Sequence, residues 1–494
     1  MAPPSAPHRR LAYMGAALGL VVLALLVPLP SPSTAAAPSR GGAFVWDRDS
    51  LWQGLEQSFV ATRSAGCADS ARVQADLGVL QALVDSLGIV RVPPDAPILD
   101  AIESRLFGVA PDLAACAISP DAFVTLQATL RTNVKRQSRA WDVDARATRE
   151  RLYRVLYGSR AAVEEVVLQH PAGTSTLLRG TDEPSTAPGA VVEGVTVHSG
   201  DMLVSRGGYP TSALIARGND FPGNFSHVAL VHVDSATHAV SVIEAHIESG
   251  VAVSSAARYL ADKKLRLLVL RPRADLPALV RDPMLPHRAA SAMLSRARAG
   301  HVPYDFAMDY RDPSRLFCSE VASAAYHTQG VDLWTGVSTI SSPGLRNWLG
   351  AFGVAHFETQ EPSDLEYDPQ LVVVAEWRDP ALLYKDHIDN AVTDAMLEGA
   401  ERGDRLGFAW YQLPLARLGK GYSWFKQQFG GIGPIPEGMS AASALRNKAY
   451  SARHEHLAHD VMRQASAWEA EHGYPPAYWT LVELARESIR QQSG

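Results

Sequence analysis

Among 494 residues the sequence has only three cysteines, Cys67, Cys116 and Cys318. Lysine is sparse too, seven of the 46 basic residues, and no block of like charge occurs anywhere. With 52 acidic residues and a formal net charge of -6, nucleic acid is not expected as a partner. No Gly-x-Ser-x-Gly elbow is present, which removes the usual serine-hydrolase route. No Gly-Lys-Ser/Thr loop is there to cradle a phosphate, and no unit of roughly 20–50 residues repeats as in a solenoid. The run His454-Glu-His-Leu-Ala-His459 misses the zinc-protease spacing, because position 458 is Ala458. His456 and His459 are read there as the solvated polar face of a helix.

What the sequence does hold starts with bulk. A chain with 47% hydrophobic and 20% charged residues is globular, and its length asks for roughly two to four domains. His8, Arg9 and Arg10 precede an apolar run from Leu11 to Val27, which Pro28 and Pro30 break before small residues lead to Ala37. This is the pattern of a secretory signal, and the run is short for a spanning helix, which needs about 20 residues. Residues 1–37 are therefore expected to be a signal peptide or an uncleaved N-terminal membrane tether. Pro38 sits awkwardly after the last small residue, which keeps the tether open. The chain is expected to be bacterial and exported, either secreted or held in the periplasm or cell envelope. An oxidising compartment favours thiol pairing, and an odd count leaves one over. Cys67 and Cys116 share a helical region, so the simplest partition is a Cys67–Cys116 disulfide with Cys318 free. Three unpaired buried cysteines are the alternative.

Residues 38–169 have apolar side chains at three- and four-residue steps, as in Leu77, Leu80, Leu83, Val84 and Leu87, and predict a helical domain. Residues 170–194 are rich in Gly, Pro, Ser and Thr and read as a linker. From 195 to 380 the period changes to two. Short strands are expected around 201–205, 227–234, 240–247, 265–270 and 371–377, with helices over 286–300 and from Cys318. Residues 381–494 are again mostly helical, with glycine-rich breaks between Gly419 and Gly433. The fold class is α+β, a small antiparallel sheet with a Cys-bearing helix between N- and C-terminal helical regions.

Cys318 falls at the start of a helix in Arg315-Leu-Phe-Cys-Ser-Glu-Val-Ala322. Free N–H groups and the helix dipole at such a position favour a thiolate, and could hold an oxyanion. A nucleophilic thiol needs a base and the base needs an orienting partner. In Ser226-His-Val-Ala-Leu-Val-His-Val-Asp234 and Val240-Ser-Val-Ile-Glu-Ala-His246 the alternation suits an antiparallel hairpin. One register sets Glu244 opposite His227. The other sets His246 opposite His227, with Glu244 on the diagonal and still in reach. Either lets a carboxylate hold His227 in the tautomer that accepts the Cys318 proton. Other readings are an ordinary buried cysteine, a polar strand histidine, or a zinc site from His227, Glu244, His246 and Cys318. Asn224-Phe-Ser226 matches a glycosylation sequon and is taken as incidental.

Gly200-Asp-Met-Leu-Val-Ser-Arg206, Phe225-Ser-His-Val-Ala-Leu-Val231, Val242-Ile-Glu-Ala-His246, Tyr304-Asp-Phe306 and Phe317-Cys-Ser-Glu-Val-Ala322 occur in that order. Together they resemble the circularly permuted NlpC-type papain-like cysteine hydrolases, the YiiX/YebB-like group, over about Val195 to Asp379. The resemblance implies a permuted papain-like core, with the His-bearing strands before the Cys-bearing helix. It implies Cys318 as nucleophile, His227 as base, Glu244 as the orienting group and Tyr304 as a residue that shapes the site or binds substrate. It implies no cofactor and no metal. The expected activity is cleavage of an amide or ester bond through an acyl-enzyme. Export favours a cell-wall peptide as substrate, and the lipid-like ligands linked to the group favour a lipid acyl substrate for a hydrolase or transferase. A non-catalytic cell-envelope binding module is the competing class.

Overall fold

The computed structural model describes residues 42–44 and 50–493 except 68, 117 and 171–173, together with Gly19. Apart from Gly19, the signal or tether read in residues 1–37 lies outside the described residues. Six helices form the N-terminal region: α1 (Ser50–Ala65), α2 (Ser70–Ile89), α3 (Pro97–Ala115), α4 (Asp121–Gln137), α5 (Arg146–Tyr153) and α6 (Ser159–Gln169). Their three- and four-residue periodicity buries Leu55, Phe59, Leu80, Val84, Leu99 and Ile102 in one cluster. Asp69 caps α2 by accepting the Ala71 and Arg72 N–H groups. Cys67 and Cys116 form a disulfide that ties the end of α1 to the end of α3, and Cys318 is the free thiol.

The strands are β1 (Leu177–Arg179), β2 (Gly189–Val192), β3 (Val195–His198), β4 (Met202–Gly207), β5 (His227–Val233), β6 (Val240–His246), β7 (Gly250–Ser255), β8 (Lys264–Pro272), β9 (Ser338–Thr339), β10 (Glu358–Thr359) and β11 (Leu371–Arg378). Seven of them make an antiparallel sheet in the order β1-β11-β8-β4-β5-β6-β7, with β2–β3 and β9–β10 as separate pairs. The stretch 170–194, read as a linker, carries β1 and β2. Backbone pairing holds such edge strands, Leu178 lying opposite Glu376, so their composition shows little apolar alternation.

The connections contribute α7 (Pro210–Arg217), α8 (Ala256–Ala261), α9 (Pro277–Arg281), α10 (Leu285–Ala299), α11 (Cys318–His327), α12 (Pro343–Phe352) and α13 (Asp364–Tyr367). The C-terminal region adds α14 (Pro380–Glu401), α15 (Leu413–Gln427), α16 (Ala441–His472) and α17 (Tyr478–Ser493). Gly419 and Gly421 lie inside α15, so the expected glycine break begins only after it. Among the described residues no helix is long and apolar enough to cross a membrane.

One face of the sheet, with Met202, Val204, Val228, Leu230, Leu268 and Leu270, packs on α10 and on Val321, Ala322 and Ala325 of α11. The other face, with Ala229, Val231, Val242 and Val269, is closed by β3 and by Tyr259 of α8. Part of the first face is charged: Arg206, Arg266 and Glu376 are buried there, and buried charges persist only when paired. Arg131 of α4 lies 2.8 Å from Glu376, and Arg160 of α6 pairs with Glu366 and Glu376. Glu164 of α6 and Asp386 of α14 hold Arg266, and Asp386 is also 3.0 Å from Arg206. Both helical regions thus neutralise and cover one side of the sheet.

Candidate active site

The start of α11 sets Cys318. Phe317 is extended, and the Glu320 carboxylate reaches back to accept its N–H at 2.8 Å. Cys318 becomes the first helical residue, where unpaired N–H groups and the dipole favour an anion. It is 5% exposed. Its Sγ lies 4.0 Å from the Ser226 carbonyl oxygen, beside the His227 ring and the Val228 N–H, both of which favour its thiolate.

The β5–β6 ladder pairs Ala229 with Glu244 and Val231 with Val242. Continued outward, this register sets His246 across from His227, their ring centroids 6.0 Å apart, and Glu244 on the diagonal. It is the second of the two registers weighed from the sequence. Glu244 Oε2 is 2.8 Å from His227 Nε2, while Oε1 is 3.3 Å from His246 Nε2 and 3.4 Å from Ser254 Oγ. The buried carboxylate therefore holds His227 directly, and His246 holds the carboxylate from its other side. With Nε2 engaged by Glu244, Nδ1 is the ring nitrogen left for the thiol.

Burial alone would lower the His227 pKa and raise that of Cys318. Hydrogen bonding and charge outweigh burial on both sides. Cys318 and Glu244 bring the imidazole up to about 9, and His227 with the Val228 N–H brings the thiol down. Both directions describe a thiolate–imidazolium pair. Burial also opposes the Glu244 charge, but the His227 and His246 hydrogen bonds hold its carboxyl well below the usual range.

Tyr304 lies in the segment leading to α11, bridged to Leu316, with its ring 5.6 Å from that of Phe306. Burial, then the charge of Cys318, raises its phenol well above 10, so the hydroxyl stays a hydrogen-bond donor. Sequence reasoning missed the acids around the thiol. Burial pushes Glu320 up to about 9, with Asp305 and Cys318 adding to it. Burial likewise raises Glu361 well above the ordinary range, helped by Asp364 and Cys318. Glu320 had a signal in its three-residue spacing from Phe317, whereas Glu361 reaches the site only through the fold.

Among the described residues no group of three or more His, Cys, Asp or Glu is arranged to hold a metal ion. His454 is buried against α14, its Nε2 3.0 Å from the Asp389 carbonyl oxygen, and burial lowers its pKa to about 4. His456 and His459 are exposed.

Residues 196–375 match the family described as permuted papain-like amidase enzymes, the YaeF/YiiX, C92 family. The match contains His227, Glu244, Tyr304 and Cys318 and leaves both helical regions outside it. Comparison with curated proteins and with solved structures gives no match. A Cys-bearing helix that follows its His-bearing strand agrees with the permuted order, so residues 196–375 are similar to the permuted papain-like amidases, a family of cysteine hydrolases.

Proposed function

We propose that the protein is an exported cysteine amidase in which Cys318 is the nucleophile, His227 the general base and acid, and Glu244 the group that orients and charges His227. The observation that carries this reading is the position of His227, beside Cys318 and with its Nε2 2.8 Å from Glu244. The Cys318 thiolate attacks the carbonyl carbon and the oxygen takes the electron pair. In this reading the N–H groups at the start of α11 stabilise that oxyanion, with the Tyr304 hydroxyl as a further candidate donor. The C–N bond then breaks, and the amine leaves with the proton of the His227 imidazolium. Water, deprotonated by His227, attacks the thioester, and the carboxylic acid departs as the thiol is regenerated. No cofactor enters these steps.

The substrate proposed is a peptide amide of the cell wall, supported by the signal-like N-terminus, by a disulfide compatible with an extracellular location and by the amidase family. A lipid acyl substrate is the second reading, favoured by the apolar surface beside Phe306 described below. A non-catalytic module accounts less well for an imidazole held by a buried carboxylate beside the only free thiol among the described residues. The test is incubation with peptidoglycan fragments and with acyl lipids, with products read by mass spectrometry. New amine and carboxylate ends should form with the native chain and vanish with Cys318→Ser. Equal product from Cys318→Ser would overturn the assignment.

A further inference from the structure

Nine of the twenty exposed large apolar side chains among the described residues fall within residues 410–432. They are ordered rather than scattered. Tyr411, Leu415, Leu418, Tyr422, Phe425 and Phe429 succeed one another at steps of four, three, four, three and four, the spacing of one helical face. Trp410, Trp424 and Ile432 flank that stripe, and exposure across the nine runs from 54% at Tyr422 to 76% at Phe429.

The inward face of α15 is made of different material. Leu413 and Ser423 are its buried residues, with Ala416 and Lys420 between them at the same spacing. Ser423 Oγ accepts the Ile435 N–H at 2.9 Å, and Lys420 Nζ donates to the Pro436 and Glu437 carbonyls at 2.8 and 2.6 Å. A Cβ on Gly433 would meet the Ser423 backbone at 2.3 Å, so the glycine is what lets the loop close on the helix. Small and polar groups thus fasten α15 to the body, and its aromatic and aliphatic groups point to solvent. An exposed apolar stripe of this size marks an interaction surface.

Charge and dimensions narrow the occupant. From Arg405 to Pro436 there are four basic residues, Arg405, Arg417, Lys420 and Lys426, and no carboxylate, although the whole chain carries -6. Trp, Tyr, Phe and Leu on one helical face with Arg417 and Lys426 beside them suit the interface of an anionic bilayer. At 15 residues α15 is about 22 Å long, too short to cross an apolar layer of about 30 Å. It would lie along the surface. The root of this element reaches the candidate site: Leu413, Ile435 and Met439 cluster with Phe306 and Ile247. Ile247 follows His246, and Phe306 packs against Tyr304.

We propose that residues 410–432, centred on α15, are a docking element that lies in the interface of an anionic lipid bilayer and brings the Cys318 site beside the membrane surface. Docking goes beyond the hydrolase reading and does not depend on the thiol. Cys318→Ser is therefore expected to dock like the native chain, and a failed hydrolysis assay leaves the docking result standing. The test is amide hydrogen exchange on the full chain with vesicles of phosphatidylcholine alone or mixed with phosphatidylglycerol. Exchange reports the location of contact, so binding through the N-terminal apolar run is told apart from binding through α15. Residues 410–432 should gain protection with the anionic vesicles and less with the neutral ones. The variant Leu418→Asp/Phe425→Asp/Phe429→Asp changes only exposed side chains, so its fold should persist by circular dichroism. It should lose that protection and co-sediment more than about tenfold less at matched lipid. Absence of protection at 410–432 with anionic vesicles would overturn the proposal. Protection without vesicles would also overturn it, pointing to a second copy if it grows with protein concentration and to the chain's own residues if it does not.

Discussion

Replacing Glu244 by Gln keeps the shape of a side chain that touches His227, His246 and Ser254 while removing its charge. With the carboxylate present, His227 titrates at about 9 against an ordinary 6.5, a difference worth roughly 3 kcal/mol in favour of the imidazolium. That gain is what remains after burial has opposed it, and Cys318 and Glu244 share the work. Removing Glu244 leaves burial opposed by one partner, so the His227 pKa should fall by roughly one to two pH units. The imidazolium that protonates the leaving amine is then depleted at mildly alkaline pH. Amide hydrolysis at pH ~8 should drop roughly two- to tenfold. The sign for stability follows from the same numbers. A raised His227 pKa adds stability that is fully present below about 6.5 and is lost as pH rises through about 9. In Glu244→Gln that loss comes earlier. The direct assay is an NMR titration of histidine-labelled native and variant chains, which needs no knowledge of the substrate. A His227 resonance that still titrates near 9 in Glu244→Gln would refute the reasoning.

Three further outcomes follow from the fold. Glu376→Ala withdraws one of the carboxylates that neutralise Arg131 and Arg160 and should cost about 3–5 kcal/mol in urea unfolding; a loss below about 1 kcal/mol would show that the pairing does not matter. The Cys67–Cys116 bridge closes a loop with a sequence separation of 49, so Cys67→Ala/Cys116→Ala should lose roughly 4 kcal/mol. Cys318 alkylation at neutral pH should remain unchanged in that variant, and altered alkylation would mean that the bridge shapes the site. His454 is held neutral down to about 4, while in the unfolded chain it charges from about 6.5. Stability should therefore rise with pH between those values, and His454→Gln should flatten that slope in unfolding curves measured across it.

The site was legible where the chemistry is local. His227, Glu244 and His246 announced themselves by two-residue alternation on either side of a short polar turn, and the hairpin needed only its register from the fold. Cys318 was placed by helix-start signals, and the odd cysteine count pointed to it as the free thiol. Glu361 was not legible, because its approach to Cys318 depends on packing that no spacing encodes. The strands β1 and β2 were hidden for a related reason: edge pairing is a backbone matter and leaves little mark on composition. The same holds for Arg206, Arg266 and Glu376. No spacing in the sequence marks them as buried, and their partners Arg131, Arg160, Glu164 and Asp386 lie in helices far along the chain. The function of the flanking helices in covering the sheet became visible only through those pairs. The six-residue stripe from Tyr411 to Phe429 has the period of an ordinary core-facing helix, and only its exposure shows that it faces outward.

The central claim is that Cys318 is activated by His227. It is tested most directly by acylation of the full chain with a thiol-directed acyl probe at neutral pH, followed by mass spectrometry of the Cys318 peptide. The account predicts stoichiometric labelling of Cys318 in the native chain and its loss in His227→Ala. Equal labelling in His227→Ala would contradict it.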